Sequence, residues 1–95
     1  MKHGKLHRDH VLKAIAEFDK KGEDDFLDEY DYGHAREYLL FYEGNYYPSK
    51  AICGVAYKFA PPLYIPKKAS EFNGGKGGAA GQLVRLGFEI HPKKS

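Results

Sequence analysis

The sequence predicts an α+β fold: a small single domain with about four helices packed on a short, mostly antiparallel sheet of about three strands. Three observations carry this. Apolar residues recur at helical spacing in two separated stretches, one tyrosine-rich stretch has strand composition and a turn inside it, and 95 residues suffice for one core only.

HRDHVLKAIAEFDKKG (7–22) reads as the first helix. Val11, Ile15 and Phe18 form its stripe, with Leu12 and Ala16 beside them. Asp9 is the expected N-cap, Lys20 and Lys21 suit the negative end of the dipole, and Gly22 is the stop. EDDFLDEY (23–30) reads as a second helix with acids in its first turn and Phe26, Leu27 and Tyr30 as its apolar face. After the break at Gly33, Tyr38–Tyr42 reads as a strand, Glu43-Gly44-Asn45 as a turn, and Tyr46-Tyr47 as a return strand ended by Pro48.

SKAICGVAYKFA (49–60) reads as the third helix, capped by Ser49 or the residue before it. Gly54 in its interior predicts a close backbone approach, because mid-helix glycine otherwise costs about 1 kcal/mol. Pro61-Pro62 stops it, and the following connection should anchor through Leu63 and Ile65. A glycine loop then opens a fourth helix with Ala80, Leu83, Val84 and Leu86 inward, Gly87 ends it, and Phe88 and Ile90 belong to a last strand. The domain spans residues 1–95, with 1–6 and 92–95 expected as flexible tails.

Composition narrows function. One cysteine forbids an internal disulfide and points to a reducing compartment, and no apolar run reaches membrane-spanning length. The expected location is the cytoplasm, with no membrane partner. Net charge is only +2, yet residues 23–49 carry eight Asp/Glu and one Arg, whereas 50–95 carry eight Lys/Arg and two Asp/Glu. That asymmetry fits a surface with one anion-seeking face, and equally blocks that neutralise each other in the fold.

Catalysis has little support. Cys53 lies on the periodic third helix with no histidine near it in sequence, and reads as a core thiol. Ser49-Lys50 lacks the geometry of a dyad, since adjacent residues point apart. Histidines 3, 7 and 10 could line one side of a helix, but no carboxylate or cysteine completes a convincing metal site with them. The expectation is a non-enzyme without metal or cofactor.

Binding parts are more plentiful. In Asn73-Gly74-Gly75-Lys76-Gly77-Gly78, glycines at positive φ could turn amides toward one anion, and Lys76 adds a full charge. No Gly-Lys-Ser/Thr step makes it a P-loop. Lys50, Lys58, Lys76 and Arg85 are candidate phosphate contacts, and Tyr47 or Tyr57 could probe a base or groove. The same residues also describe a tyrosine-rich core with a solvated rim.

The motifs together resemble a known module. They run from His10-Val11-Leu12-Lys13-Ala14-Ile15 through Asp25-Phe26-Leu27, Tyr32-Gly33 and Tyr38-Leu39-Leu40. Next come Tyr47-Pro48-Ser49-Lys50-Ala51-Ile52-Cys53-Gly54-Val55-Ala56-Tyr57, Phe72-Asn73-Gly74-Gly75 and Leu86-Gly87-Phe88-Glu89-Ile90. This pattern resembles the N-terminal head domain of McrA-like (ScoMcrA-like) modification-dependent HNH restriction endonucleases, over about residues 6–91. In that family the head precedes a modified-DNA-reading domain and a separate HNH nuclease domain. The resemblance implies a DNA-recognition accessory whose partners are double-stranded DNA, plain or modified, and such a nuclease or reader in cis or in trans.

Tyr47, Ser49, Lys50, Gly54, Tyr57, Asn73, Gly74 and Gly75 are the positions matching the shared pattern. The longer glycine run and the absence of a nuclease domain within these 95 residues depart from it. The rival expectation is a protein-interaction or dimerisation module that positions a nuclease partner.

Overall fold

The computed structural model describes residues 3–35 and 37–93. Helices α1 (Arg8–Lys21) and α2 (Glu23–Tyr30) precede strands β1 (Tyr38–Tyr42) and β2 (Asn45–Pro48). Helix α3 (Ser49–Ala56) continues into a 3-10 turn at Tyr57–Phe59, and a second such turn spans Ala69–Glu71. Helix α4 (Ala79–Arg85) and strand β3 (Glu89–Pro92) close the chain. The sheet is antiparallel throughout, in the order β2-β1-β3, and the predicted α+β class is the observed one.

Helix α1 turns Val11, Ala14 and Ile15 into the core and leaves Ala16 exposed. Its N-cap is His7 rather than Asp9. The His7 N–H donates to Nδ1 of His10 at 3.0 Å, which satisfies one orphan amide and leaves Asp9 inside the first turn, where its charge still favours the dipole. Gly22 has φ +86, and its N–H closes α1 on the carbonyl of Phe18 at 2.8 Å. That backbone turn sends α2 back so that Phe26 meets Phe18 edge to face at 5.1 Å.

In the sheet, Leu40 pairs with Tyr47 on one side and Ile90 on the other, pointing to the helices. The hairpin turn is the two-residue Glu43-Gly44, both at positive φ, so Asn45 already belongs to β2. Helix α3 lies at the centre: every residue from Ser49 to Ala56 is buried except Lys50. It ends sooner than periodicity suggests because Pro61 forces Ala60 into extended backbone and the last turn tightens.

At Gly54 the predicted close approach is real. A Cβ there would lie 1.9 Å from the Tyr32 hydroxyl and 3.1 Å from the carbonyl of Lys67. The hydroxyl donates to that carbonyl at 2.6 Å, and the Lys67 N–H donates to the carbonyl of Gly54 at 2.9 Å.

Other expectations are corrected. Val84 and Ile65 are 55% and 54% exposed, because α4 turns only Ala79, Ala80 and Leu83 inward and the 61–66 loop bulges outward. Residues 3–6 are not a loose tail: Leu6 is buried, and a Cβ on Gly4 would strike the Pro61 carbonyl at 1.8 Å. At the other end Pro92 belongs to β3 and Lys93 donates from its backbone to Glu37 and from its side chain to Ala35, each at 2.7 Å. Residues 1–2 and 94–95 of the expected tails lie outside the described residues.

An ion network ties the far end of α3 to α1 and α2. The Glu17 carboxylate accepts from Lys21 and Lys58, each at 2.9 Å, and from the Tyr30 hydroxyl. Burial pushes this carboxyl up, but the three donors outweigh it and hold it at about 2, below its ordinary 4.5. A depressed carboxyl stabilises the fold fully above its unfolded value and loses that contribution as pH falls through the folded one. Glu17→Gln should therefore cost about 1–3 kcal/mol at neutral pH and flatten the loss of stability between pH 5 and pH 2, read by denaturant titration across that range. Gly54→Ala should cost about 3 kcal/mol or more by overpacking, and Tyr32→Phe in the same chain should restore part of it, read as thermal unfolding of single and double variants.

Candidate nucleic-acid interface

The start of α3 is where the hairpin, the helix and the glycine loop converge. Pro48 occupies the N-cap position and offers no side-chain bond. Ser49 does not cap either: its buried Oγ donates to the carbonyl of Tyr38 at 2.9 Å, which clamps the first turn of α3 to the beginning of β1. The first turn of α3 thus starts without a side-chain cap, with its positive end toward a cavity of about 350 Å3. Tyr32, His34, Glu37, Tyr38, Lys50 and Gly74 are among its lining residues.

Lys50 stands at this opening. Its Nζ lies 5.5 Å from the centre of the Phe72 ring, and Nζ of Lys67 lies 5.4 Å from the same ring and 4.7 Å from that of Tyr57. Two ammonium groups thus lie within 6 Å of the Phe72 ring centre. A Cβ on Gly74 would come within 3.5 Å of the Lys50 side chain, so the glycine loop touches the mouth of the helix. Glu37 brings one negative charge to the same rim, which partly offsets the lysines.

The loop is ordered by its own bonds rather than by left-handed glycines. None of Gly74, Gly75, Gly77 or Gly78 has positive φ. Asn73 Oδ1 accepts from the Gly75 N–H at 3.0 Å, its carbonyl accepts from Ala79 at 2.9 Å, and the carbonyl of Gly75 accepts from Gly78 at 2.9 Å. The amides of Gly75, Gly78 and Ala79 are therefore used within the fold, and the expected ring of amides around one phosphate is reduced accordingly. Glycine is required here for contact: a Cβ on Gly78 would lie 2.1 Å from the Asn73 carbonyl, and one on Gly81 1.9 Å from that of Lys76. Lys76 and Arg85 are exposed, and Nη1 of Arg85 passes 3.5 Å from the Cβ position at Gly81, so Arg85 adjoins the Lys76 segment.

Three expected contacts are placed elsewhere. Tyr47 is 3% exposed and its hydroxyl donates to Asp19 at 2.8 Å; burial first, and that bond second, push its phenol up to about 12. Tyr57 is buried too, its hydroxyl accepting from Gln82 at 2.7 Å. Both rings support the fold and cannot probe a base from these positions. Lys58 lies past the other end of α3, about 12 Å of helix from Lys50, committed to Glu17 and Tyr30. The structure thus brings together Ser49, Lys50, Gly74 and the loop, and separates Lys58 from them.

Phe72, His34 and Tyr38 join the site unannounced by sequence spacing. The available signals were the places of Tyr38 and Phe72 in the motif run, which gave neither residue a role at the site. Cys53 is buried against Gln82, and burial pushes its thiol up to about 12, with the Lys67 charge opposing, so it is a poor nucleophile. Among the described residues no group of three or more His, Cys, Asp or Glu could hold a metal ion, and no helix is long and apolar enough to cross a membrane.

A family model for the "ScoMcrA-like, N-terminal head domain" matches residues 4–92. The chain belongs to this head-domain family. A solved structure, "Structure of the Type IV phosphorothioation-dependent restriction endonuclease ScoMcrA", is similar at 30% identity with a TM-score of 0.70. The match covers 97% of this chain and 14% of that one, so the chain spans about a seventh of that endonuclease. No curated protein matches it.

Loop geometry in this head domain is testable glycine by glycine. Gly78→Ala should destabilise by about 1–3 kcal/mol, because the Asn73 carbonyl has to move. Gly77→Ala should be neutral or slightly stabilising, because a Cβ there meets nothing within 4 Å. Urea unfolding of the two variants checks the contrast.

Proposed function

We propose that this head domain is a non-catalytic DNA-binding module of a restriction system, holding the phosphate backbone of a duplex at the mouth of α3. The observation that carries this reading is the convergence of Lys50, the uncapped first turn of α3 and Gly74 at one cavity, with Lys67 at the same Phe72 ring as Lys50. A phosphate there would meet a lysine charge and the positive end of the helix at once. Lys76 and Arg85 extend the contact along the glycine loop, with Asn73 and Gly75 fixing the loop's shape. The carboxylate of Glu23, at the start of α2, lies 3.4 Å from His34 of the cavity lining, so it and Glu37 bound the anion site on that side.

Cutting is assigned to a separate nuclease domain or partner, since this chain corresponds to 14% of an endonuclease. That endonuclease is phosphorothioation-dependent, which makes a phosphorothioate linkage the first modification to try as a ligand here. The proposed setting is the cytoplasm, where the single thiol stays reduced.

A second reading has its own support. Phe41, Tyr46 and His91 stack on one face of the sheet, with ring centres 4.8 to 5.7 Å apart, and Tyr46 is 55% exposed. Such a patch suits a protein partner that positions the nuclease.

Binding of plain, phosphorothioated and methylated duplexes, measured by fluorescence anisotropy at two salt concentrations, separates the two. Lys50→Ala should weaken all duplexes about fivefold or more and reduce the salt slope by about one, whereas Lys58→Ala should change neither. Equal affinities for wild type and Lys50→Ala would remove the α3 mouth from the interface. Salt-insensitive DNA binding together with concentration-dependent mass would favour the protein-interaction reading.

A further inference from the structure

The loop between the 3-10 turn at Tyr57–Phe59 and Lys67 carries a feature that the fold does not need. Tyr64 and Ile65 are adjacent, 59% and 54% exposed, and Tyr64 holds φ +56. Single exposed apolar residues are ordinary, but here two large ones stand together, the first of them on left-handed backbone. A bulky aromatic is disfavoured there, and glycine would take the position without strain. The loop is pinned on both sides: the Tyr64 N–H donates to the Ala60 carbonyl at 3.0 Å, and the Lys67 N–H to that of Gly54 at 2.9 Å. The pair is therefore presented outward on a fixed support, at a conformational cost that its own burial does not offset.

Its surroundings indicate what it meets. Residues 44–70 contain four lysines and no Asp or Glu, and among the described residues only Lys58 of the four is taken up by a carboxylate, that of Glu17. Two of them, Lys67 and Lys68, follow the pair directly, and Lys67 shares the Phe72 ring with Lys50 at the α3 mouth. An apolar knuckle set in positive charge complements a base step exposed between two phosphate backbones.

We infer that Tyr64 and Ile65 form an apolar wedge that enters a groove of duplex DNA and partly unstacks one base step while Lys67 and Lys68 hold the flanking phosphates. This deepens the DNA-binding reading and rests on it. It also gives the domain a means of sensing how easily a duplex deforms, which base-edge contacts would not provide.

The test uses the 95-residue chain and a duplex of about two helical turns with 2-aminopurine at its centre, with affinity from anisotropy and unstacking from 2-aminopurine fluorescence. Wild type should bind and raise the fluorescence. The double variant Y64S/I65S should lose at least about fivefold in affinity and lose the fluorescence rise, with an unchanged salt slope, because no phosphate contact is removed. Tyr64→Gly should raise the melting temperature by a few degrees while weakening binding, the opposite of what a purely structural role would give.

If the chain binds the duplex and Y64S/I65S binds and unstacks it equally well, the wedge is overturned while the lysine interface stands. If wild type binds no duplex at all, both fall. Self-association of the chain that Y64S/I65S abolishes, with DNA binding unchanged, would make the knuckle a protein contact and likewise overturn the wedge.

Discussion

Everything in this domain is arranged around the place where α3 has no side chain. At Gly54 the Tyr32 hydroxyl reaches over the bare helix to the carbonyl of Lys67, whose own N–H returns to the carbonyl of Gly54. One missing Cβ thus lets the segment after α2 and the connection after the 3-10 turn lock onto the same point of a buried helix. Tyr32 bears the usual cost of a buried phenol, its ionisation pushed well up by burial, and gains a bond to a backbone acceptor. Because Lys67 is fixed there, its side chain is delivered to Phe72 and the neighbourhood of Lys50.

The two ends of α3 then serve opposite purposes. Its first turn is left without a side-chain cap because Ser49 bonds Tyr38 and Pro48 has nothing to offer, so the positive end of the helix stays available beside Lys50. Beyond its last turn, Lys58 is already neutralised by Glu17 and hydrogen-bonded to Tyr30. Two lysines eight residues apart in one short segment therefore differ in kind. Lys58 is held by carboxylate and phenol, whereas Lys50 meets an aromatic face and a glycine loop. A charge count along the chain cannot make that distinction.

The tyrosines divide by the same logic. Tyr47 and Tyr57 commit their hydroxyls to Asp19 and Gln82 and their rings to the core, while Tyr46 and Tyr64 are left at the surface. Tyr46 and Tyr47 are neighbours on a strand, where alternation sends one to each face, and Leu40 takes Tyr47 inward. The sequence showed a tyrosine pair before a helix; only pairing of β2 with β1 decided which member was interior.

Local patterns determined a good deal on their own. The apolar stripe of α1, the acidic start of α2, the hairpin around Glu43-Gly44, the glycine inside α3 and the stop at Gly87 follow from short-range chemistry, and so they were legible, as was the family's motif order. The α1 start differs from the expected one because Nδ1 of His10, three residues into the helix, accepts from the N–H of His7, which sets the N-cap at His7 and leaves Asp9 inside the first turn. Burial of Leu6, exposure of Val84 and Ile65, the internal use of the loop amides and the separation of Lys58 from Lys50 belong to tertiary structure. The loop amides are used by near neighbours in a turn geometry that glycine content alone does not specify. The others depend on which distant segment packs against each group, a choice set by packing around α3 and absent from the order of residues along the chain.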